Sequence, residues 1–384
     1  MSRIFVGLSG GVDSAVSAAL LKQQGHDVVG AFIKIWNPDF LECSWKEDRI
    51  DAMRVCVALG VPFQEIDLSQ EYQRLVVGDM IESYKAGITP NPDVLCNRHI
   101  KFGAFKEWAL SEGADMIATG HYARVRGPSV TSTVSEGKSD LPLGSPDGDT
   151  CYSLLRAIDP AKDQSYFLYR LTQDDLAKTL LPIGHLHKPA VRALAKKFDL
   201  PVSQKPDSQG LCFVGDVSIP EFLSRYIALT KGPVVDRDGS IIGEHDGAAL
   251  YTIGQRHGFR TKESAPHYVM RIDVARNTLV VSSEKADTRA HAATLRDVHW
   301  ISEPSRSGET LDAQSRYHAP ISRARLVEVG LPHDQAASAC GSPASTRWAA
   351  EFAEPEQLSP GQSLVLYRGE ECVGGGVVEN VDAK

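Results

Sequence analysis

The chain begins with Arg3-Ile-Phe-Val-Gly-Leu-Ser-Gly-Gly-Val-Asp-Ser14, and this stretch decides the fold of the first part of the protein. The apolar run from Ile4 to Leu8 predicts a buried β-strand, and the apolar periodicity from Val12 to Leu21 predicts a helix. Gly10 and Gly11 allow a tight turn between them because no Cβ obstructs the backbone. The first N–H groups of such a helix point at one place, so the stretch predicts an anion site, most simply for pyrophosphate.

The loop differs from a Walker phosphate loop because no Gly-Lys-Ser/Thr closes it. An ordinary strand-to-helix turn is the alternative, although SGGVDS directly after a strand is a far more specific pattern than a lone Gly-Gly pair. The loop resembles the pyrophosphatase loop (PP-loop) of the N-type ATP pyrophosphatases. That resemblance implies ATP binding and adenylation of a substrate, but it does not identify the substrate. The loop residues are Gly7, Leu8, Ser9, Gly10, Gly11, Val12, Asp13 and Ser14.

The bulk composition is that of a soluble globular protein without a membrane partner. The 384 residues can form one large core or two to three smaller ones. Apolar runs are too short to span a bilayer, and the polar loop from Gly7 to Ser14 interrupts any leader, so we expect a cytoplasmic protein. The 7 cysteines are scattered without a CxxC pair, which disfavours both a zinc site and a disulfide scaffold.

The net charge of −8 argues mildly against a nucleic-acid partner. Residues 151–210 nevertheless contain nine lysines and arginines against six acidic residues. Such a basic segment can bind phosphates locally. Solvated helix faces are an equally good explanation, so charge alone does not decide the question of RNA binding.

Strand and helix patterns alternate over the first 120 residues. This alternation predicts an α/β fold with a doubly wound parallel sheet, whose ligand lies at the carboxyl ends of the strands. Further predicted strands are Val28–Ile35, Pro62–Leu68 and Met116–Thr119. Predicted helices are Asp48–Leu59, Tyr72–Lys85, Ile100–Ser111, Asp174–Leu180 and Lys188–Phe198.

Changes in composition along the rest of the sequence divide the chain into three predicted domains. Residues 127–150 are rich in Ser, Gly, Pro and Asp, which is typical of a flexible surface loop. Short β-rich runs separated by turns begin near residue 205. We therefore predict an ATP pyrophosphatase domain over 1–205, a small central linking domain over 206–283 and a C-terminal β-barrel-like domain over 284–384.

Cys96 lies in Thr89-Pro-Asn-Pro-Asp-Val-Leu-Cys-Asn-Arg-His99. The two prolines predict an extended loop, and Asn97 is a candidate N-cap for the helix that follows. A thiol just before a helix and beside basic residues should have a lowered pKa, which suits a nucleophile, and Asp93 could take a proton. A buried structural cysteine is the alternative. Cys212, in DSQGLCF, follows a glycine turn, and a structural and a functional interpretation are equally good there.

Taken together, the motifs resemble those of the tRNA-specific 2-thiouridylases. SGGVDS, TPNPDVLCN, ATGHYA (118–123), KDQSYFL (162–168) and DSQGLCF occur in that order, and the similarity continues through YTIGQRHG (251–258), Arg316-Tyr317 and SPGQ (359–362). TPNPDVLCN is the most specific element, because other families with this loop lack it. The 127–150 loop and extra residues near Val327–Thr346 depart from the family pattern and are interpreted as surface insertions.

The resemblance implies ATP-dependent 2-thiolation of the wobble uridine, position 34, of tRNA. ATP, with Mg²⁺, would occupy the loop, with Ile33 and Gly120 beside the adenosine. Cys212 would carry a persulfide, Cys96 would release its sulfur and end in a disulfide with Cys212, and Asp93 would act as acid and base.

The resemblance also implies two partners, the tRNA anticodon arm and a persulfide donor such as a cysteine desulfurase or a sulfur relay protein. The implied contacts with the target base are Asn91, Pro92 and Asp93. The other implied tRNA contacts are His121, Lys162, Asp163, Gln164, Arg316, Tyr317 and Gln362.

Two other classes of function stay open on the sequence alone. An amide-forming adenylating synthetase would use the same loop, but it needs an ammonia source, and the text contains no glutaminase-like domain. A non-catalytic tRNA-binding or redox-sensing protein would leave the intact loop and both cysteines unexplained.

Overall fold

The computed structural model describes residues 1–38, 40, 45–127, 151–207, 217–263, 265–329 and 347–382. The chain forms two compact units. The first comprises Met1–Val77, Pro92–Asp216 and Glu370–Val373, and the second comprises Gly78–Asn91, Val217–Gly369 and Gly374–Lys384. Cys212, most of the 127–150 loop and most of the 327–346 insertion fall outside the described residues.

Regular structure covers most of the described chain. The helices are α1 (Val12–Gln23), α2 (Trp45–Leu59), α3 (Ser69–Tyr72), α4 (Gly78–Lys85), α5 (Pro92–Leu95), α6 (Phe105–Ser111), α7 (Gln173–Ala177), α8 (Lys188–Lys197) and α9 (Ile219–Leu223), with π-helical turns at Gln73–Val77 and Cys96–Ala104 and 3₁₀ turns at Ser165–Leu168, Ala248–Leu250 and Lys285–Thr288. The strands are β1 (Arg3–Gly7), β2 (Asp27–Lys34), β3 (Phe63–Asp67), β4 (Met116–Ala118), β5 (Ala123–Arg126), β6 (Ser153–Arg156), β7 (Thr179–Leu180), β8 (Gly232–Val235), β9 (Ile241–His245), β10 (Phe259–Thr261), β11 (Tyr268–Asp273), β12 (Thr278–Ser282), β13 (Ala290–Trp300), β14 (Thr310–Gln314), β15 (Ser322–Val329), β16 (Arg347–Glu356), β17 (Ser363–Arg368) and β18 (Glu371–Asp382).

The first unit is built on a five-stranded sheet of order β3-β2-β1-β4-β7. Its neighbouring strands are all parallel. The centre of β1 (Ile4, Phe5, Val6) is completely buried, as expected for a parallel strand covered on both faces. Small residues on α1 allow that helix to pack closely on the sheet, and α1 also contacts α8.

The second unit contains two β structures. Strands β8 to β12 form a five-stranded sheet of order β10-β9-β8-β12-β11. Strands β13 to β18 follow the order β13-β16-β15-β14-β17-β18, and a further pairing of β13 with β18 closes them into a barrel. Closure removes free sheet edges, which otherwise invite pairing with other chains. The predicted fold class, a parallel α/β sheet followed by a small domain and a β-barrel, is confirmed.

Two predicted helices are divided or shortened in the structure, and a third, Ile100–Ser111, is the end of a longer helical segment that begins at Pro92. The helix expected over Tyr72–Lys85 is divided by the π-helical turn at Gln73–Val77. The helix expected over Asp174–Leu180 ends at Ala177, because Thr179 and Leu180 pair with Ile117 and Ala118 at the edge of the sheet. At this position the pairing with a neighbouring strand overrides the local helical pattern.

We expect Glu309, just before β14, to make the stability of the second unit sensitive to acid. Its carboxylate accepts hydrogen bonds from Ser305 Oγ at 2.6 Å and Arg368 Nη2 at 2.8 Å. The hydrogen bond from Ser305 lowers the pKa of Glu309. Burial opposes this effect, but the bonds from Arg368 and from the Arg306 N–H lower the pKa further, from 4.5 to about 2 in total. Glu309 therefore contributes stability above about pH 4.5 that is lost as the pH falls toward 2.

We expect Glu309→Gln to lower the free energy of unfolding by about 2 kcal/mol near pH 7, and by less near pH 3. Urea titrations of the full chain at both pH values measure this difference. The matched control is Glu354→Gln at an exposed position of β16. A loss that is equal at both pH values would contradict the assignment.

Among the described residues, no helix is both long and apolar enough to cross a membrane.

Candidate active site

The glycine loop lies at the carboxyl end of β1, as predicted. The Leu8 N–H donates to the carbonyl of Ala31 at 2.7 Å, which fixes the end of the strand. Gly11 is the N-cap of α1, so its missing side chain cannot accept a bond from the first N–H groups of the helix. The hydroxyls of Ser9 and Ser14 lie 3.2 Å apart and hold the two ends of the turn together. The first N–H groups of α1 are therefore left without a side-chain acceptor and are well placed to bind an anion.

Two positions at this edge of the sheet require glycine. Gly10 has φ +72°, and a Cβ there would lie 2.4 Å from the carbonyl oxygen of Asp48. A Cβ on Gly120, just after β4, would lie 2.6 Å from the backbone nitrogen of Ser14. The backbone at Gly120 thus packs directly on the start of α1. A Cβ on Gly7 would lie 3.8 Å from Ile33 Cδ1, so the predicted adenosine neighbours Ile33 and Gly120 both border the loop.

A pair of glycine substitutions tests this geometry. Gly25 also has a positive φ (+89°) but an open surround, so Gly25→Ala isolates the backbone cost of about 1–2 kcal/mol. Gly10→Ala adds the collision with Asp48, and we expect a larger loss of stability and about a hundredfold loss of AMP formation. Thermal unfolding and AMP release measure the two effects. Equal behaviour of the two variants would show that the Gly10 contact is unimportant.

The Asp13 side chain is held by two residues that the sequence did not single out. Tyr122 Oη donates to Asp13 Oδ1 at 2.8 Å, and Lys188 Nζ lies 2.8 Å from each carboxylate oxygen of Asp13. Burial and the charge of Asp13 raise the pKa of Tyr122, so its hydroxyl remains a donor. Lys188 is the first residue of α8, and it stands over the ring of Tyr122 at 5.7 Å.

Asp207 gathers three cations. Lys162 Nζ donates to Oδ2 at 2.8 Å, Lys188 Nζ lies 2.9 Å from Oδ1, and Arg192 also bonds Oδ1. Burial alone would raise the pKa of Asp207, but the bonds from Lys162 and Lys188 hold it far below the ordinary value. Asp207 is therefore ionised, and Lys188 connects it directly to Asp13 of the loop.

A contact between Lys101 and His121 connects the helical segment that contains Asp93 and Cys96 with Gly120, which packs on the loop. Lys101 Nζ lies 3.3 Å from His121 Nε2, and His121 Nδ1 lies 2.8 Å from the hydroxyl of Thr119. Burial and the Lys101 charge lower the pKa of His121 well below 6.5, so its imidazole is neutral. Burial raises the pKa of Asp93, partly offset by Lys101. An aspartate that holds its proton more tightly is suited to acid–base work.

The predicted N-cap role of Asn97 is wrong. The helical segment begins at Pro92 as α5 and continues from Cys96 as a π-helical turn, because proline is well tolerated in the first turn of a helix. Cys96 lies inside this segment and is buried, 8% exposed, so the predicted effect of a helix start on its thiol does not apply. Asn97 instead donates from Nδ2 to the carbonyl of Phe167 at 3.2 Å and is 3% exposed.

The predicted tRNA contacts of the first unit differ in how they are held. Asp163 accepts the N–H groups of Ala157 and Ser165, and Gln164 Oε1 accepts the Tyr122 N–H at 2.9 Å. These two side chains therefore fasten the segment to the site. Lys162 is more exposed, at 38%, although it pairs with Asp207. His121 is buried.

In the second unit, Gln362 lies against the segment that ends at Asn91. Its Nε2 donates to the carbonyls of Thr89 and Pro90, both at 2.9 Å. Arg316 is exposed and lies 3.3 Å from Gln357 Oε1, and the ring of Tyr317 is 3.8 Å from that of His318. Pro92 and Asp93 belong to the first unit.

In the part of the chain that the structure describes, no three His, Cys, Asp or Glu side chains converge as a metal site. Four polar residues of the candidate site were not predicted from the sequence, namely Tyr122, Lys188, Arg192 and Asp207. Tyr122 and Asp207 lie within the ATGHYA and DSQGLCF motifs, which was the available signal for them.

Three family descriptions match successive parts of the chain. They are a tRNA methyl transferase HUP domain over residues 2–216, a tRNA methyl transferase PRC-barrel domain over 220–283 and an aminomethyltransferase beta-barrel domain over 290–378. The first match covers more than half of the chain. Together with the glycine loop at the edge of a parallel sheet, it defines the class as a HUP-domain enzyme that modifies tRNA.

Full-length relatives narrow this class to one family. The tRNA-specific 2-thiouridylase MnmA of Herminiimonas arsenicoxydans is 41% identical over 392 residues, covering 98% of this chain and 97% of that protein. The protein of the same name from Cupriavidus metallidurans is 41% identical over 388 residues, covering 98% and 99%. This chain belongs to the tRNA-specific 2-thiouridylase family, which are tRNA sulfurtransferases. The predicted family and enzyme class are confirmed.

Solved structures overlap more weakly. The U34-tRNA thiolase NcsA from Methanococcus maripaludis, with its [4Fe-4S] cluster, has a TM-score of 0.34 at 18% identity, covering 55% of this chain and 62% of that chain. A 4-thiouridine synthetase–RNA complex with bound ATP has a TM-score of 0.33 at 15% identity, covering 58% and 50%. These overlaps are too small to support a functional inference.

Proposed function

We propose that this protein uses ATP to adenylate O2 of the wobble uridine, position 34, of tRNA and then replaces that oxygen with sulfur. The products are 2-thiouridine, AMP and pyrophosphate. Adenylation is needed because the C2 oxygen is a poor leaving group, whereas AMP is a good one. The observation that carries the proposal is that two consecutive residues connect the proposed ATP loop with the helical segment that contains Cys96. Gly120 packs on the loop, and His121 contacts Lys101 in that helical segment.

The residues Gly7 to Ser14 would bind the phosphates of ATP through the N–H groups at the start of α1. Ile33 lies beside Gly7, Gly120 packs on the start of α1, and both are proposed neighbours of the adenosine. Mg²⁺ would be held by the phosphates and by water, in keeping with its preference for oxygen ligands. Bound Mg²⁺ would neutralise part of the phosphate charge.

Two thiols would carry the sulfur. Cys212 receives a sulfane sulfur from a persulfide donor. The Cys96 thiolate attacks Cys212 Sγ, so the bond from Sγ to the sulfane sulfur breaks, hydrosulfide leaves and a Cys96–Cys212 disulfide forms. Hydrosulfide attacks C2 of the adenylated uridine, the C2–O bond to AMP breaks, and Asp93 takes the proton. An external dithiol then reduces the disulfide.

The wobble uridine must leave the anticodon stack to reach these groups, which costs a few kcal/mol and less in a single-stranded loop. Asn91, Pro92 and Asp93 are proposed to meet the flipped base. The cytoplasm stays the predicted location. The proposed contacts with the rest of the anticodon arm are His121, Lys162, Asp163, Gln164, Arg316, Tyr317 and Gln362.

Lys162 gives a direct test of the tRNA surface. We expect Lys162→Ala to weaken tRNA binding and to reduce the slope of log K against log salt by about one unit, as for one lost phosphate contact. Lys162→Arg keeps the charge and should keep the slope. Titrations of an anticodon stem-loop at several salt concentrations measure both. An unchanged slope in Lys162→Ala would remove Lys162 from the phosphate contacts.

The proposed reaction is tested by exchange of labelled pyrophosphate into ATP. A tRNA adenylating enzyme should catalyse this exchange only when tRNA with an unmodified wobble uridine is present. Transcripts with a cytidine at that position are the matched control. Exchange that is independent of tRNA would favour a different adenylated substrate, and absence of exchange with either tRNA would contradict adenylation.

A further inference from the structure

The glycine loop contains no lysine of the kind that closes a Walker phosphate loop, yet a bound triphosphate carries several negative charges. We infer that Lys188, at the start of α8, supplies this missing cation to the nucleotide site. The inference rests on the proposed function only in taking the loop as the ATP site. It adds a phosphate-binding residue that lies far from the loop in sequence.

The geometry places the Lys188 ammonium at the loop. It lies 2.8 Å from both carboxylate oxygens of Asp13, which is the second residue of α1 and so stands at the end of the helix with free N–H groups. The Lys188 side chain is only 13% exposed and lies over the ring of Tyr122, which restricts its movement. Because Tyr122 also donates to Asp13, the ammonium and the carboxylate are fixed at one place.

The charges explain why the loop needs this lysine. Asp13 puts a negative charge where the phosphates are to bind, and the bonds from Lys188 neutralise it. Asp207 is the second carboxylate on the same ammonium, at 2.9 Å. Asp207 retains Lys162 and Arg192 as partners, so a phosphate that binds the Lys188 ammonium in place of Asp207 does not leave Asp207 without a counterion.

This arrangement predicts opposite effects for two neighbouring substitutions. Lys188→Met keeps the length of the side chain but leaves Asp13 facing the phosphates, so binding of a nucleotide should weaken. Asp207→Asn removes a competitor for the ammonium and raises the local positive charge, so binding should stay equal or become tighter. A purely structural ion pair would make both substitutions harmful, because both break the Lys188–Asp207 pair.

The test measures binding of the Mg²⁺ complex of a non-hydrolysable ATP analogue to the full chain without tRNA, by calorimetry at low and high salt. We expect Lys188→Met to bind about 10- to 100-fold more weakly, with the difference shrinking at high salt. Lys188→Arg should recover most of the affinity. Asp207→Asn should bind at least as tightly as the wild type. Lys196→Met, at an exposed lysine on the same helix, is the control and should bind as the wild type does.

The outcomes separate this inference from the proposed function. A wild type that does not bind the analogue would contradict the loop as an ATP site. A wild type that binds, with Lys188→Met binding equally well, would overturn only the role of Lys188. If thermal unfolding shows that Lys188→Met is not folded, Asp207→Asn becomes the deciding variant. Weaker binding of the analogue by Asp207→Asn would also overturn the inference.

Discussion

Replacement of Asp13 by alanine is expected to abolish AMP formation from ATP, which means a fall in its rate of at least about a hundredfold. The structure gives the physical reason. Without the Asp13 carboxylate, Tyr122 loses its acceptor, and the Lys188 ammonium keeps Asp207 as its carboxylate partner and is drawn away from the loop. Release of labelled AMP at saturating tRNA measures the effect.

Two variants control this prediction. Asp13→Asn keeps the shape of the side chain, and its thermal unfolding shows whether the loss of AMP formation reflects chemistry or folding. Cys212→Ser should still form AMP with tRNA, because the thiols act after adenylation. If Cys212→Ser also stopped all ATP turnover at saturating tRNA, the proposed division of labour between loop and thiols would be wrong.

The second large effect concerns the two thiols, which we expect to be joined after one turnover without reductant. Sulfur transfer from a persulfide on Cys212 requires Cys96 to reach that residue, and a disulfide needs Cα atoms within about 7 Å. Peptide mapping of the quenched reaction should find a Cys96–Cys212 linkage in the wild type. Cys96→Ser should adenylate tRNA but transfer no sulfur.

Cys56 is a built-in control for that mapping. Burial raises the pKa of the Cys56 thiol to about 11, so little thiolate forms near neutral pH. We expect Cys56 to stay reduced and to resist alkylation in the folded protein. Recovery of both Cys96 and Cys212 as thiols after verified thiolation without reductant would contradict the two-cysteine mechanism.

The sequence was sufficient for the features that depend on local pattern. The strand from Arg3 to Gly7, the turn at Gly10 and the helix from Val12 follow from apolar periodicity and from the conformational freedom of glycine. The parallel sheet followed from the alternation of strands and helices. The family followed from the order of several motifs rather than from any one of them.

The sequence was not sufficient where distant segments meet. Lys188 bonds Asp13 across 175 positions, and no local pattern distinguishes that lysine from the exposed ones on the same helix. Asn97 resembled an N-cap, but Pro92 begins the helix one turn earlier. Thr179 and Leu180 continued a helical pattern, yet pairing with β4 makes them a strand. For Lys188, Thr179 and Leu180 a tertiary contact determined the outcome, whereas for Asn97 the helix start at Pro92 did.

The most direct test of the account is mass spectrometry of the anticodon nucleosides after the purified protein acts on a tRNA transcript. The reaction would contain ATP, Mg²⁺, a persulfide donor and a dithiol. We predict that the wobble uridine alone gains the mass of one sulfur in place of one oxygen, that the gain requires ATP, and that one AMP forms for each 2-thiouridine. Sulfur incorporation without ATP, or at a nucleoside other than the wobble uridine, would contradict the account.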